Sequence, residues 1–247
     1  MNKQVIFNQV NGQFMKYFSS SSKFLITVVF LIGFLNTSLF SQEVEDPDPH
    51  RFEEEVNRFE EFDSKNSFPE DAILFVGSSS IRFWKTAEAF PEMPVINRGF
   101  GGSHFSDLLY YYDELVLPYN PSVVVLYEGD NDIASNKTND QVFEDYLEFT
   151  DRLTNNFPDV KLVFVPVKPS SSRWELWPQM KEVNQRIEDH MNENSQFYYV
   201  DLASPILGSD GTPDDSLFMD DLLHLNEDGY AKWNSVIRPT LEELMDE

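Results

Sequence analysis

The chain has 247 residues, and 18 Lys and Arg stand against 43 Asp and Glu, a formal net charge of −25 at pH 7. So acidic a surface repels nucleic acid and anionic membranes and favours neutral or cationic ligands. There is no cysteine, which excludes disulfides, thiolate metal sites, a cysteine nucleophile and a lipid-modified cysteine.

The first 41 residues contain three lysines and no acid. Lys16 and Lys23 lead into an apolar run over 24–35, then Asn36, Thr37 and Ser38, the layout of a signal peptide cleaved near Ser41 and Gln42. A bilayer span needs about 20 apolar residues, so no stable membrane span is expected after cleavage. The expected location is secreted or periplasmic, with an uncleaved signal anchor as the alternative if Leu39 and Phe40 extend the run. Met15 is an alternative start. An acidic, Pro-bearing linker follows at 42–51, and 52–247 is expected to form one compact domain.

Phe52, Val56, Phe59 and Phe62 recur at helical spacing between charged residues, the pattern of an amphipathic helix. The period then changes. Short apolar or β-branched runs at 73–76, 95–96, 123–127, 162–167 and 197–200 suit strands buried on both faces. Helical stretches are expected between and after them, near 81–89, 106–117, 141–156, 175–194 and 226–245. This alternation predicts a three-layer, flavodoxin-like α/β fold, a five-stranded parallel sheet with helices on both faces. In such sheets ligands bind beyond the carboxyl ends of the strands.

Four stretches fall where that rule places a site. Gly77-Ser78-Ser79-Ser80 ends the first expected strand in a sharp turn, and any of its three serines can be read as a nucleophile. Asn97-Arg98-Gly99-Phe100-Gly101-Gly102 follows the second strand and Gly129-Asp130-Asn131-Asp132 the third. Asp221-Leu222-Leu223-His224 precedes the last helix, and its Asp-x-x-His spacing lets one turn carry both side chains. Of the four histidines, His50 lies in the linker, His190 in a charged helix and His104 just after the glycine motif. Taken singly, each stretch has an ordinary use as a helix cap, a glycine loop, an Asx-turn or a surface ion pair.

In this order and after these runs, the four stretches together resemble the SGNH hydrolases, esterases with a Gly-Asp-Ser-Leu-type first block. The resemblance extends from about residue 52 to the C-terminus. It implies that Ser79, two residues after Gly77, is the nucleophile, with Ser78 where the family carries Asp. It implies that the N–H groups of Ser79 and Gly102 and the amide of Asn131 form the oxyanion hole, with His224 as base and Asp221 orienting it. The implied reaction is ester hydrolysis with no cofactor and no metal, which the family performs on acetylated sugars, short-chain lipids, aryl esters and thioesters; a shallow pocket and an exported location favour short acyl groups, acetyl esters of carbohydrates among them. The expected partner is a small-molecule or carbohydrate ester. Arg173, Trp174 and Trp177, beyond the fourth strand, are expected to wall an acyl or sugar pocket, with core or lid packing as the alternative. Two alternatives are a carbohydrate-binding protein on a weakened hydrolase fold, suggested by Ser78, and a metal-dependent hydrolase using Glu128, Asp130, Asp132 and the acidic loop 210–215.

Overall fold

The computed structural model describes residues 44–246, so the expected signal peptide and its cleavage point lie outside the described residues. Among the described residues, five strands form one sheet: β1 (Ile73–Gly77), β2 (Val95–Gly99), β3 (Val123–Tyr127), β4 (Lys161–Phe164) and β5 (Phe197–Tyr199). Their order is β2-β1-β3-β4-β5 and every pairing is parallel. This is the expected α/β architecture.

Successive strand residues point to opposite faces, and each face buries its own core. Leu74, Val76, Val124, Leu126 and Phe164 pack on one side, and Ile73, Phe75, Val123, Val125 and Val163 on the other. The first face is covered by α1 (Glu53–Asp63) through Val56 and by the α4 (Phe105–Tyr110) and α5 (Tyr112–Leu115) pair through Leu108 and Tyr112. The two long helices α7 (Asn139–Asn156) and α8 (Trp177–Met191) complete that layer through Phe149 and Ile187. The second face is covered by α9 (Glu227–Asp246), whose Trp233, Ile237 and Leu241 recur at helical spacing, and by Ile81, Trp84 and Phe90 from α2 (Ser79–Arg82), α3 (Thr86–Ala89) and their flanks.

Several boundaries differ from the sequence-based expectation, each for a local reason. The helix expected over 81–89 is two short ones because the Asn97 side chain donates to the carbonyls of Ile81 (2.8 Å) and Trp84 (3.1 Å), capping the chain between them. The strand expected to reach Val167 stops at Phe164. Pro166 disfavours continuation, and the Asn184 side chain takes both the N–H (2.9 Å) and the C=O (2.8 Å) of Val167. An unforeseen helix, α6 (Asp130–Ala134), starts inside the third motif.

The segment expected to be a linker is tied to the fold. Gln141 Nε2 donates to the carbonyl of Val44 (2.9 Å), Asp46 pairs with Lys137, and Arg51 pairs with the buried Asp107. Lys137 and Asp107, the partners of Asp46 and Arg51, are both buried.

What positions a site is the register. Gly77 stands opposite Gly99 on one side and Tyr127 on the other, so β1, β2 and β3 end level. The order reverses direction at β1, and the crevice between β1 and β3 is where such sheets bind ligands.

Candidate active site

Three bonds bind the loops leaving these strands into one surface. Ser78 N–H donates to Tyr127 O (3.1 Å), Phe100 N–H to Gly77 O (3.0 Å), and the Asn131 amide Nδ2 to Ser103 O (3.0 Å). The turn after β1 depends on Gly77. Its φ is +130°, and a Cβ built there falls 1.9 Å from Tyr127 O, so any side chain forces β1 and β3 apart.

Of the three serines, Ser78 and Ser80 are 1% and 2% exposed, whereas Ser79 is only partly buried. Ser79 Oγ lies 2.9 Å from His224 Nε2, and His224 Nδ1 lies 2.6 Å from Asp221 Oδ2. A carboxylate can only accept, so Nδ1 carries the proton and Nε2 is left as acceptor for the Ser79 hydroxyl. The remaining oxygen of Asp221, Oδ1, accepts from the backbone N–H groups of Leu223 and His224, both at 2.9 Å. Burial works against its charge, but these donors and the imidazole outweigh it and hold Asp221 down at about 2.

The turn bearing this pair is closed by Met219 N–H to His224 O (2.8 Å) and by a bridge between Phe218 and Leu225. It passes through Leu222 at φ +54°, a left-handed residue without glycine's freedom, whose carbonyl accepts from Ser172 N–H (3.1 Å). Phe83 meets the His224 ring edge-on at 5.0 Å and, with Met219 and Leu222, is among the large apolar side chains left exposed. They give the His224 side an apolar rim.

The other described histidines face no serine of the first motif. His50 pairs with Asp48 (2.8 Å), and His190 Nδ1 lies 3.2 Å from Tyr146 Oη. His104 is buried with Nε2 3.1 Å from Ser135 Oγ, and burial together with the Lys137 and Arg51 charges pushes it down to about 4.

Gly102 has φ +82° and no heavy atom within 4 Å of a built Cβ. Its backbone angle by itself favours glycine at this position. Asn131, in the first turn of α6, stands between two partners. Its Nδ2 faces Ser103 O, and its Oδ1 accepts from Arg173 Nη2 at 3.1 Å.

Residues 80–232 match the GDSL-like Lipase/Acylhydrolase family, which covers more than half of the chain. The chain belongs to this family of ester-bond hydrolases. Solved structures share the fold of this GDSL-like acylhydrolase. A candidate platelet activating factor from Streptococcus pneumonia aligns with TM-score 0.69 at 18% identity, over 86% of this chain and 99% of that one. A GDSL-like lipase from Bacteroides thetaiotaomicron aligns with TM-score 0.66 at 22% identity, over 76% of this chain and 97% of that one. A carbohydrate esterase family 3 protein from Talaromyces cellulolyticus aligns with TM-score 0.57 at 16% identity, over 72% of this chain and 100% of that one. No curated protein matches the chain.

Within this acylhydrolase, the three side chains expected to wall a pocket have different surroundings. Arg173 is engaged by Asp130 Oδ1 (2.5 Å) as well as by Asn131. Trp174 stacks on Trp177 with ring centres 6.3 Å apart, and Trp177 also packs against the α7/α8 side of the core. The acidic residues of the third motif are paired. Asp130 accepts from Tyr127 Oη (3.1 Å) and Lys168 Nζ (3.3 Å), and the Lys168 and Arg173 charges overcome burial to lower its pKa. Asp132 lies 3.0 Å from Lys137 Nζ.

Glu128 is fully buried with its oxygens 3.1 and 3.2 Å from Ser103 Oγ, and burial reinforced by the Asp132 charge raises its pKa well above the ordinary value. Among the described residues no group of three or more His, Asp or Glu is arranged to hold a metal ion, and no helix is long and apolar enough to cross a membrane. The Arg173 contact, the Lys168 pair and the Phe83 rim were not anticipated. The only sequence signal of the first two was the basic, Pro- and Ser-bearing stretch 168–173 after an apolar strand, and Phe83 had none.

Proposed function

We propose that the chain is an exported serine esterase that removes short acyl groups, acetyl groups on carbohydrates foremost. The observation that carries this reading is the continuous path from Asp221 Oδ2 through the His224 imidazole to Ser79 Oγ, with steps of 2.6 and 2.9 Å. His224 takes the Ser79 proton as Oγ attacks the ester carbonyl, and Asp221 stabilises the imidazolium that forms. The oxyanion is received by the N–H groups of Ser79 and Gly102 and by the Asn131 amide. His224 then gives its proton to the departing alcohol, and an acyl-enzyme remains. Water, deprotonated by the same imidazole, attacks the acyl carbonyl and releases acid and serine.

The choice of short acyl groups is supported by the apolar rim of only a few side chains beside His224, and carbohydrate by the carbohydrate esterase among the fold neighbours. Export is supported by the basic start and short apolar run before residue 42. The intact mass of protein recovered outside the cytoplasm tests it, and a full-length chain in the membrane fraction favours the anchored alternative.

The mechanism is tested by covalent labelling. A fluorophosphonate is expected to modify Ser79 alone, His224→Ala to slow that labelling by about 10³-fold or more, and EDTA to leave turnover unchanged. Activity that survives complete labelling, but is lost on chelation and returns with a divalent metal, sinks the serine reading in favour of the metal-dependent one.

A further inference from the structure

The side-chain amide of Asn131 has two ends, and only one of them can stabilise an oxyanion. Which end faces the site is decided here by its two fixed neighbours. Arg173 is a donor with no acceptor, so the atom 3.1 Å from its Nη2 is the amide oxygen. The Ser103 carbonyl is an acceptor with no donor, so the atom 3.0 Å from it is the amide nitrogen. Nδ2 carries two hydrogens, and Ser103 uses one. The other remains for a substrate oxygen.

Arg173 is itself held in place. Its Nη1 lies 2.5 Å from Asp130 Oδ1, so one planar guanidinium spans the side chains of two consecutive residues at the start of α6. The second oxygen of Asp130 receives Tyr127 Oη (3.1 Å) and Lys168 Nζ (3.3 Å), and Lys168 is 1% exposed. Two cations and one carboxylate thus form a cluster behind the amide, with Lys168 and Asp130 buried and Arg173 partly so. Its position also polarises that amide, because a cation at the oxygen end makes the N–H end a stronger donor.

We propose that Arg173 is a positioning residue for acyl transfer: with Asp130 and Lys168 as its anchor, it fixes the Asn131 amide with Nδ2 turned to the developing oxyanion. This replaces the direct substrate contact expected from sequence. The proposal rests on the reading of Asn131 as an oxyanion donor.

The test is a double-mutant cycle on the full chain with p-nitrophenyl acetate, using Arg173→Ala, Asn131→Ala and the double variant, with thermal melts and circular dichroism alongside. Arg173→Ala is expected to lower kcat about 10- to 100-fold with KM within about twofold, because an interaction realised in the transition state is weakened. In the Asn131→Ala background the same change should cost less than about threefold, because the group it positions is gone. Arg173→Lys retains charge and one donor and should recover part of the loss; if Arg173→Ala does not fold, the cycle is run with this variant. A raised KM at unchanged kcat, or losses that multiply in the double variant, overturns the proposal and returns Arg173 to substrate contact or to general stability. If Asn131→Ala alone leaves kcat unchanged, the oxyanion assignment itself fails, a result distinct from failure of the Arg173 role alone.

Discussion

Ser79→Ala is expected to lower kcat on p-nitrophenyl acetate by about 10⁴-fold or more, while Ser78→Ala and Ser80→Ala keep most of the wild-type rate. The asymmetry follows from access. Ser78 and Ser80 are nearly fully buried, and their backbones bond neighbouring elements: Ser78 N–H to Tyr127 O, and Ser80 O accepting from Tyr230 Oη at 2.8 Å. Alanine preserves both backbone bonds, and Ser80→Ala gives up only the hydroxyl's contact with the Tyr127 phenol. Ser79 alone presents its hydroxyl to an imidazole. Its replacement removes no core contact, so the melting temperature should stay within a degree or two and the lost rate reads as chemistry. A Ser79→Ala protein with near-normal turnover, beside a dead Ser78 or Ser80 variant, would reject the assignment.

Asn131→Ala is the second large effect, a fall in kcat of about 10²–10³-fold with KM little changed, since one donor to the transition-state oxygen is lost. A structural contribution has to be measured at the same time, because the Asn131 side chain also joins the loop after β2 to α6 through Ser103 O. Two hydrogen bonds are given up, a neutral one to that carbonyl worth about 1 kcal/mol and one from the Arg173 guanidinium, which keeps Asp130 as a partner. A folded far-UV spectrum and a modest drop in melting temperature are therefore expected together with the rate loss. If the folded signal disappears with the activity, Asn131 is a structural residue and the oxyanion argument loses its side-chain donor.

The frame was legible because burial on both faces of a parallel sheet leaves an unambiguous trace. Val123–Tyr127 is five apolar or aromatic residues in succession, and the structure buries every one. The Asp221 and His224 pair was legible because its spacing fits within one turn. The left-handed φ of Gly102 left no separate trace, since a glycine in a loop is compatible with any backbone angle. Contacts between distant parts of the chain left no such trace. Asn97 caps the break at residue 82 from a neighbouring strand, Gln141 holds Val44 from 97 residues away, and Arg173 reaches Asn131 from 42 residues away. Each is a polar side chain, Asn97 in a strand and the other two in the first turn of a helix, where composition alone reads as solvent-facing.

The separation between Ser79 and His224 has a further consequence for how the protein is made. The hydroxyl precedes its base by 145 residues, and the base sits immediately before the last helix. At a synthesis rate of about 5–20 residues per second, roughly 7–30 s pass between the two. On the proposed mechanism the nascent chain carries an unactivated serine during that interval, because its imidazole has not yet been made. The Ser79 to His224 step can form only after the Asp221 turn has been synthesised and brought to the sheet edge, so the same mechanism makes activity a property of the nearly finished chain.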